Sequence, residues 1–193
     1  MLRVLVADNK GVMLSEELIL AALRRMAAIL EARGVVGEIA IFGGAAMVLA
    51  FHARQTTKDV DAIFAPVQDV REAAQQVASE MNLPNDWIND AVKGFLSDRG
   101  ELTDRTITQL PCLRILTPTP EYLLAMKVLS ARTARLDAGG DKRDILFLID
   151  QLGLNTPDEV MSVVQRYYDP SRVLPRSVYL LDEIFEQRNK GKE

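Results

Sequence analysis

The sequence predicts an α+β protein: a small mixed β-sheet flanked by helices over residues 1–117, then a helical part over residues 118–193. Three observations carry this expectation. Short β-forming runs at 38–42, 58–65 and 112–116 are separated by segments with helical periodicity. From Pro120 onward every readable segment is helical. The composition, 48% hydrophobic and 26% charged in 193 residues, is that of an ordinary folded chain with a sizeable core.

Residues 1–13 read as a tail or an edge strand, with Met13 as an alternative start. Their one apolar stretch, before Asp8, is too short for a signal peptide and lacks a cleavage signature. Leu14 to Arg33 sets Leu18, Ala22, Met26 and Ile29 on one helix face behind a Ser15 cap, with Glu16 and Glu17 in the first turn and a stop near Gly34. Glu38 to Phe42 is a strand that runs into Gly43-Gly44. Ala45 to Ala53 is apolar on every face, as a buried helix is, and ends near His52, a cation suited to a helix C-terminus. Lys58 to Ala65 alternates as a strand, with Val60, Ala62 and Phe64 on one face and Asp59, Asp61 and Ile63 on the other.

Asp69 to Met81 is a helix that breaks before Pro84. Residues 84–105 carry no readable period, and Trp87 is their expected anchor. A strand at Cys112 to Leu116 follows Pro111, with Cys112 as a small buried residue. Thr119 caps a helix from Pro120 to about Arg132. Gly139-Gly140 punctuates the chain before a helix over Asp141 to Leu152. Thr156, Pro157 and Glu159 form a capping-box start for a helix to about Tyr168, in which Tyr167 and Tyr168 pack beside Val163 and Val164. Ser177 to Asn189 is the last helix.

A net charge of -4 and a pI near 5.2 give no overall basic field to recruit nucleic acid or an anionic membrane, so any such contact must be local. The one local surplus is Lys127, Arg132, Arg135, Lys142 and Arg143, which reads either as solvated surface or as a rim guiding a triphosphate or an RNA end. The single Cys112 excludes an intrachain disulfide and a multi-cysteine metal site, which fits a cytoplasmic protein. Lys or Arg interrupts every long apolar segment, so no membrane association is expected.

The chemistry is concentrated between Ile41 and Pro66. Asp59 and Asp61, two apart on a strand, project from one face about 6–7 Å apart. Two carboxylates so close raise each other's pKa unless a cation neutralises them, and Mg²⁺ prefers carboxylate oxygens while keeping positions for phosphate and water. Such a pair suits phosphoryl or nucleotidyl transfer. Upstream, Gly43-Gly44 lets bare backbone and its amide groups approach an anion. Lys127 is the only charged residue between Glu121 and Arg132 and has apolar helical neighbours, so it either snorkels or faces a polar site. Asp141 reads as a helix cap or a site residue, and Asp144, one turn before Phe147 and Leu148, is turned toward the interior and is the preferred of the two.

The stretch GGAAMVLAFHARQTTKDVDAIF, with TPEYLLAMKVLSARTARLDAGGDKRDILFLI downstream, resembles the DNA polymerase beta type nucleotidyltransferase fold. The wording from Arg54 to Asp61 is most similar to the minimal bacterial branch of AbiEii-toxin-like and DUF6036-like proteins. The resemblance covers roughly residues 14–152. It implies that Gly43 and Gly44 form the phosphate-binding turn, that Arg54, Lys58 and Lys127 contact the nucleotide, that Asp59 and Asp61 hold Mg²⁺ or Mn²⁺, and that Asp141 or Asp144 supplies a further acid. A nucleoside triphosphate would be the substrate, a hydroxyl such as a tRNA 3′ end the acceptor, and a cognate antitoxin protein a partner.

Two positions depart from that pattern. Active members commonly carry a third carboxylate on a later strand, whereas Cys112 to Leu116 contains no acid. Gly44 stands where many members have Ser. Either the acid comes from elsewhere or turnover is weak or lost. The competing functions are transfer to a small molecule or a protein, and a non-catalytic protein that binds nucleotide or a partner.

Overall fold

The computed structural model describes residues 11–104, 107, 109–131 and 140–190. Arg132, Arg135 and Gly139 lie outside them. The fold is α+β, as the sequence predicts. Its elements are β1 (Leu14–Ser15), α1 (Glu16–Ala32), β2 (Gly37–Ile41), α2 (Gly43–Leu49), β3 (Thr56–Thr57), β4 (Val60–Ala65), α3 (Val67–Met81), β5 (Ile88–Asn89), β6 (Leu102–Thr103) and β7 (Leu113–Pro118). Then come α4 (Pro120–Ser130), α5 (Gly140–Gln151), α6 (Pro157–Tyr167) and α7 (Pro175–Lys190). A 3₁₀ turn spans Ala91–Phe95.

Five strands form one sheet in the order β5-β4-β2-β7-β6, and β1 pairs with β3 beside it. The central strand β2 runs antiparallel to β4 and parallel to β7. Its alternation decides the layers. Ile39 and Ile41 pack with Val60 and Ala62 of β4 against α1 and α3, while Ala40 and Phe42 join Leu116 and the helices α4–α7. The odd residues of β4 share the second side, where Ile63 packs, so Asp61 faces α4. This is the facial split read from the sequence. The β2–β4 register places Ile41 opposite Ala62, and the Phe42 amide donates to the Asp61 carbonyl at 2.8 Å, which leaves Gly43 beside Asp61.

Several boundaries differ from expectation for local reasons. The strand with the Asp pair begins at Val60 rather than Lys58, because Thr56–Thr57 pairs with β1 and the Val60 amide bonds the Trp87 carbonyl at 2.7 Å. Helix α2 starts at Gly43 rather than Ala45 and stops at Leu49, four residues short of Ala53. His52 follows in the left-handed region (φ 49°) with its ring 3.3 Å from Glu16, so it caps no helix. Cys112 precedes its strand rather than opening it: it adopts φ 55° in a turn and is partly exposed, not buried. Trp87 anchors the unreadable stretch as expected, buried with its Nε1–H donating to the Ala74 carbonyl at 3.1 Å.

The caps are those the sequence signals. Ser15, Thr119 and Thr156 oxygens accept from the amides three residues on. Glu159 reaches back past Thr156 to the Asn155 amide at 2.6 Å. Tyr167 and Tyr168 are buried, and their hydroxyls donate to Glu101 and to the Phe95 carbonyl. No helix among the described residues is long and apolar enough to cross a membrane.

Helices α1 and α3 are joined by Arg25, which donates to both carboxylate oxygens of Glu80. Those bonds, with one from Gln76, pull the Glu80 carboxyl from the ordinary 4.5 down to about 2. A depressed folded-state value means stability that is present above the unfolded value and lost as pH falls through the folded one. In acid denaturation followed by circular dichroism, Glu80→Gln should therefore remove part of the stability slope between about pH 4.5 and 2 and leave stability near pH 1 unchanged. Unaltered slopes would discard this pair as a contributor. High salt should shrink the difference, since both side chains are exposed.

Candidate active site

The fold brings the end of β2, the start of β4, the segment between α2 and β3, and the facing side of α4 to one cleft of about 710 Å³. Gly43, Gly44, Arg54, Thr57, Lys58 and Asp59 line it on the sheet side together with Asp61, and Lys127 and Asp141 line it on the helical side. Of the residues singled out for the carboxylate, phosphate and nucleotide roles, all line this cleft except Asp144.

The glycine pair is explained by space. Gly43 adopts φ 59°, and a Cβ built on it would stand 2.6 Å from Asp61 Oδ2. The bare backbone of the turn thus lies directly against the carboxylate. A Cβ on Gly44 would stand 2.4 Å from Thr57 Oγ1 and 3.3 Å from Arg54 Nη1. A Ser side chain at position 44 has no room here, because the Thr57 hydroxyl occupies it.

Asp61 is partly buried, and its carboxyl is held above the usual range, first by desolvation and then by the neighbouring Asp59 charge, with Asp141 adding to the rise. Lys127 and the Asn89 amide pull it down. Asn89 also donates to Asp59 Oδ2 at 3.1 Å and so fixes the second carboxylate, which stands just outside β4. Asn89 carries no local signal, since it lies in the stretch without a period. Two close carboxylates, one of them partly desolvated, suit a divalent cation that completes its shell with phosphate oxygens and water. Among the described residues no set of three or more His, Cys, Asp or Glu side chains is arranged around a metal position.

Lys127 resolves the two alternatives that its apolar helix left open: it is 6% exposed and faces the polar site. Its Nζ donates to Asp141 Oδ1 at 2.8 Å and lies 2.6 Å from Asp144 Oδ2, an ion contact whose angle falls short of a hydrogen bond. Arg54 Nε donates to the other Asp144 oxygen at 2.5 Å. Asp144 is 2% exposed, so it sits beneath the cleft with both oxygens taken by cations. Asp141, 61% exposed at its side chain, is the acid that reaches the cleft from α5. The cleft is also lined by apolar residues: Val92, Phe95, Leu123, Met126 and Leu180.

Of the basic cluster, Lys127 is buried in the network above and Lys142 is paired with Glu183 at 2.9 Å. Arg143 has its own partner, and Arg132 and Arg135 lie outside the described residues.

No curated protein and no solved structure matches the chain. A family model does: "Nucleotidyltransferase of unknown function (DUF6036)" matches residues 19–161, a span that runs from α1 into α6 and holds every side chain of the cleft described above apart from Met13 and Leu180. The chain therefore belongs to this nucleotidyltransferase family.

Proposed function

We propose that the cleft transfers a nucleoside monophosphate from a nucleoside triphosphate to a hydroxyl acceptor. The observation that carries this reading is the contact between the Gly43 backbone and Asp61, which joins the phosphate side of the cleft to its carboxylate side without an intervening side chain. Asp59 and Asp61 would hold Mg²⁺ or Mn²⁺, which supplies neutralisation of phosphate charge during displacement. The Gly43-Gly44 backbone, Arg54, Lys58 and Lys127 receive the triphosphate, and the buried Asp144 keeps Arg54 and Lys127 in place. The acceptor oxygen attacks the α-phosphorus, the bond to the bridging oxygen breaks, and pyrophosphate leaves. Asp141, the exposed acid on the helical side, would accept the acceptor's proton. This supplies an acid from α5 where strand β7 has none.

Resemblance to toxin-like members favours a tRNA 3′ hydroxyl as the acceptor, with an antitoxin protein as the controlling partner. One observation favours a smaller acceptor or a protein side chain instead: Lys142, on the lip of the cleft, is already paired with Glu183, and the net charge is negative. Incubating the protein with each α-labelled triphosphate, Mg²⁺ and total RNA separates these readings. Label on RNA is expected for the wild type, and Asp59→Ala/Asp61→Ala should lower it at least about 10³-fold, the scale of several kcal/mol of charge stabilisation. Label on a small hydroxyl compound or protein, with none on RNA, selects the second acceptor class. Nucleotide binding with no transfer to any of the three would overturn the enzymatic reading.

A further inference from the structure

We infer that Thr57 is a phosphate-contacting residue, its hydroxyl donating to the triphosphate above the Gly43-Gly44 turn; this rests on the reading of the cleft as a triphosphate site. Gly44 does not have the left-handed backbone of Gly43, so conformation does not require glycine there. Space does. The volume that a side chain at 44 would take is filled by Thr57 Oγ1 and flanked by Arg54 Nη1. The hydroxyl and the guanidinium therefore stand together over the turn.

Thr57 is held rigidly in that position. Its backbone is locked in register with Leu14 by the β1–β3 pair, and β-branching restricts χ1. The residue is 5% exposed, yet it lines the cleft. Its hydroxyl is a donor at the edge of the cleft. An anionic oxygen arriving over the turn satisfies it, while Arg54 beside it and Lys127 across the cleft supply the charge.

Titration calorimetry with ATP, CTP, GTP and UTP, each with Mg²⁺, tests this. Thr57→Val keeps the shape and removes the donor, and should weaken the best-bound triphosphate roughly tenfold or more, the scale of one bond to a charged group. Thr57→Ser, which restores the hydroxyl, should stay within about threefold of the wild type. Gly44→Ser alone should lose binding through the overlap at Thr57, and Gly44→Ser/Thr57→Ala should recover it by returning a hydroxyl to the same place. A structural role alone predicts no such rescue. Wild-type binding with Thr57→Val equally tight, or Thr57→Ser as weak as Thr57→Val when both melt like the wild type, overturns the assignment of Thr57 alone. A wild type that binds none of the four overturns the triphosphate reading and this assignment with it.

Discussion

Asp144→Ala should lower stability by about 3–5 kcal/mol and abolish nucleotide transfer, the largest single-residue effect expected in this protein. The carboxylate lies 2.5 Å from Arg54 Nε and 2.6 Å from Lys127 Nζ at a position only 2% exposed. Its removal leaves Lys127, itself buried, with only the exposed Asp141, and leaves Arg54 Nε without the acceptor it now uses. An uncompensated buried cation is far more costly than the intact pair is favourable, which is why truncating one member is severe. Asp144→Asn separates the two consequences. It keeps the volume and one acceptor, so the protein should remain folded with a smaller loss of stability, while Arg54 and Lys127 lose the charge that orients them. The expected kinetic signature is a raised KM for triphosphate with a lesser change in kcat, measured beside a thermal melt. A metal-binding or proton-accepting role for Asp144 predicts the reverse split, with kcat collapsing and KM little changed.

That network also marks where sequence reasoning stops. A strand with alternating faces is written into Val60-Asp61-Ala62-Ile63, and the structure keeps that split because one face must meet α1 and α3 and the other α4. Capping residues and proline likewise placed the starts of α1, α4 and α6, since those signals act within three residues. What failed were ends and edges set by distant partners. The strand β3 at Thr56–Thr57 exists only because Leu14–Ser15, some forty residues earlier, pairs with it, and that pairing is what detaches Lys58 and Asp59 from β4. No local pattern reports it.

The same distinction holds for the cleft. Asp59, Asp61 and the Gly pair were visible because they are adjacent in sequence and carry unusual chemistry for an apolar stretch. Lys127 was visible as a charge out of place on an apolar helix, and only its contacts with Asp141 and Asp144 decide what it does. Asp144 was rightly turned inward by its spacing from Phe147 and Leu148, yet the residue it meets there, Arg54, is ninety positions away. Thr57 and Asn89 were missed. One is a threonine beside another threonine, the other a polar residue in a stretch without a period, and neither type is unusual enough to stand out before the backbone brings it to the carboxylates.

Gly43→Ala should reduce transfer at least about 10²-fold, the loss that roughly an ångström of displacement in a catalytic group produces. Two costs act at this residue, and controls within the same chain separate them. A φ of 59° strains any residue with a Cβ by about 1–2 kcal/mol. Gly34 has φ 67° and no atom within 4 Å of its built Cβ, so Gly34→Ala should show that conformational cost in a melt and leave transfer untouched. At Gly43 the built Cβ also falls 2.6 Å from Asp61 Oδ2, a distance that real Cβ atoms do not adopt, so the carboxylate must rotate away. Asp61 then no longer lies against the backbone turn, and the carboxylate and phosphate sides of the cleft part. Comparing the two variants by melting temperature and by initial rate of label transfer subtracts the strain and leaves the displacement. Should Gly43→Ala lose stability like Gly34→Ala and still transfer at the wild-type rate, the close approach of turn and carboxylate would have no part in the chemistry, and the observation on which the proposed function rests would be removed.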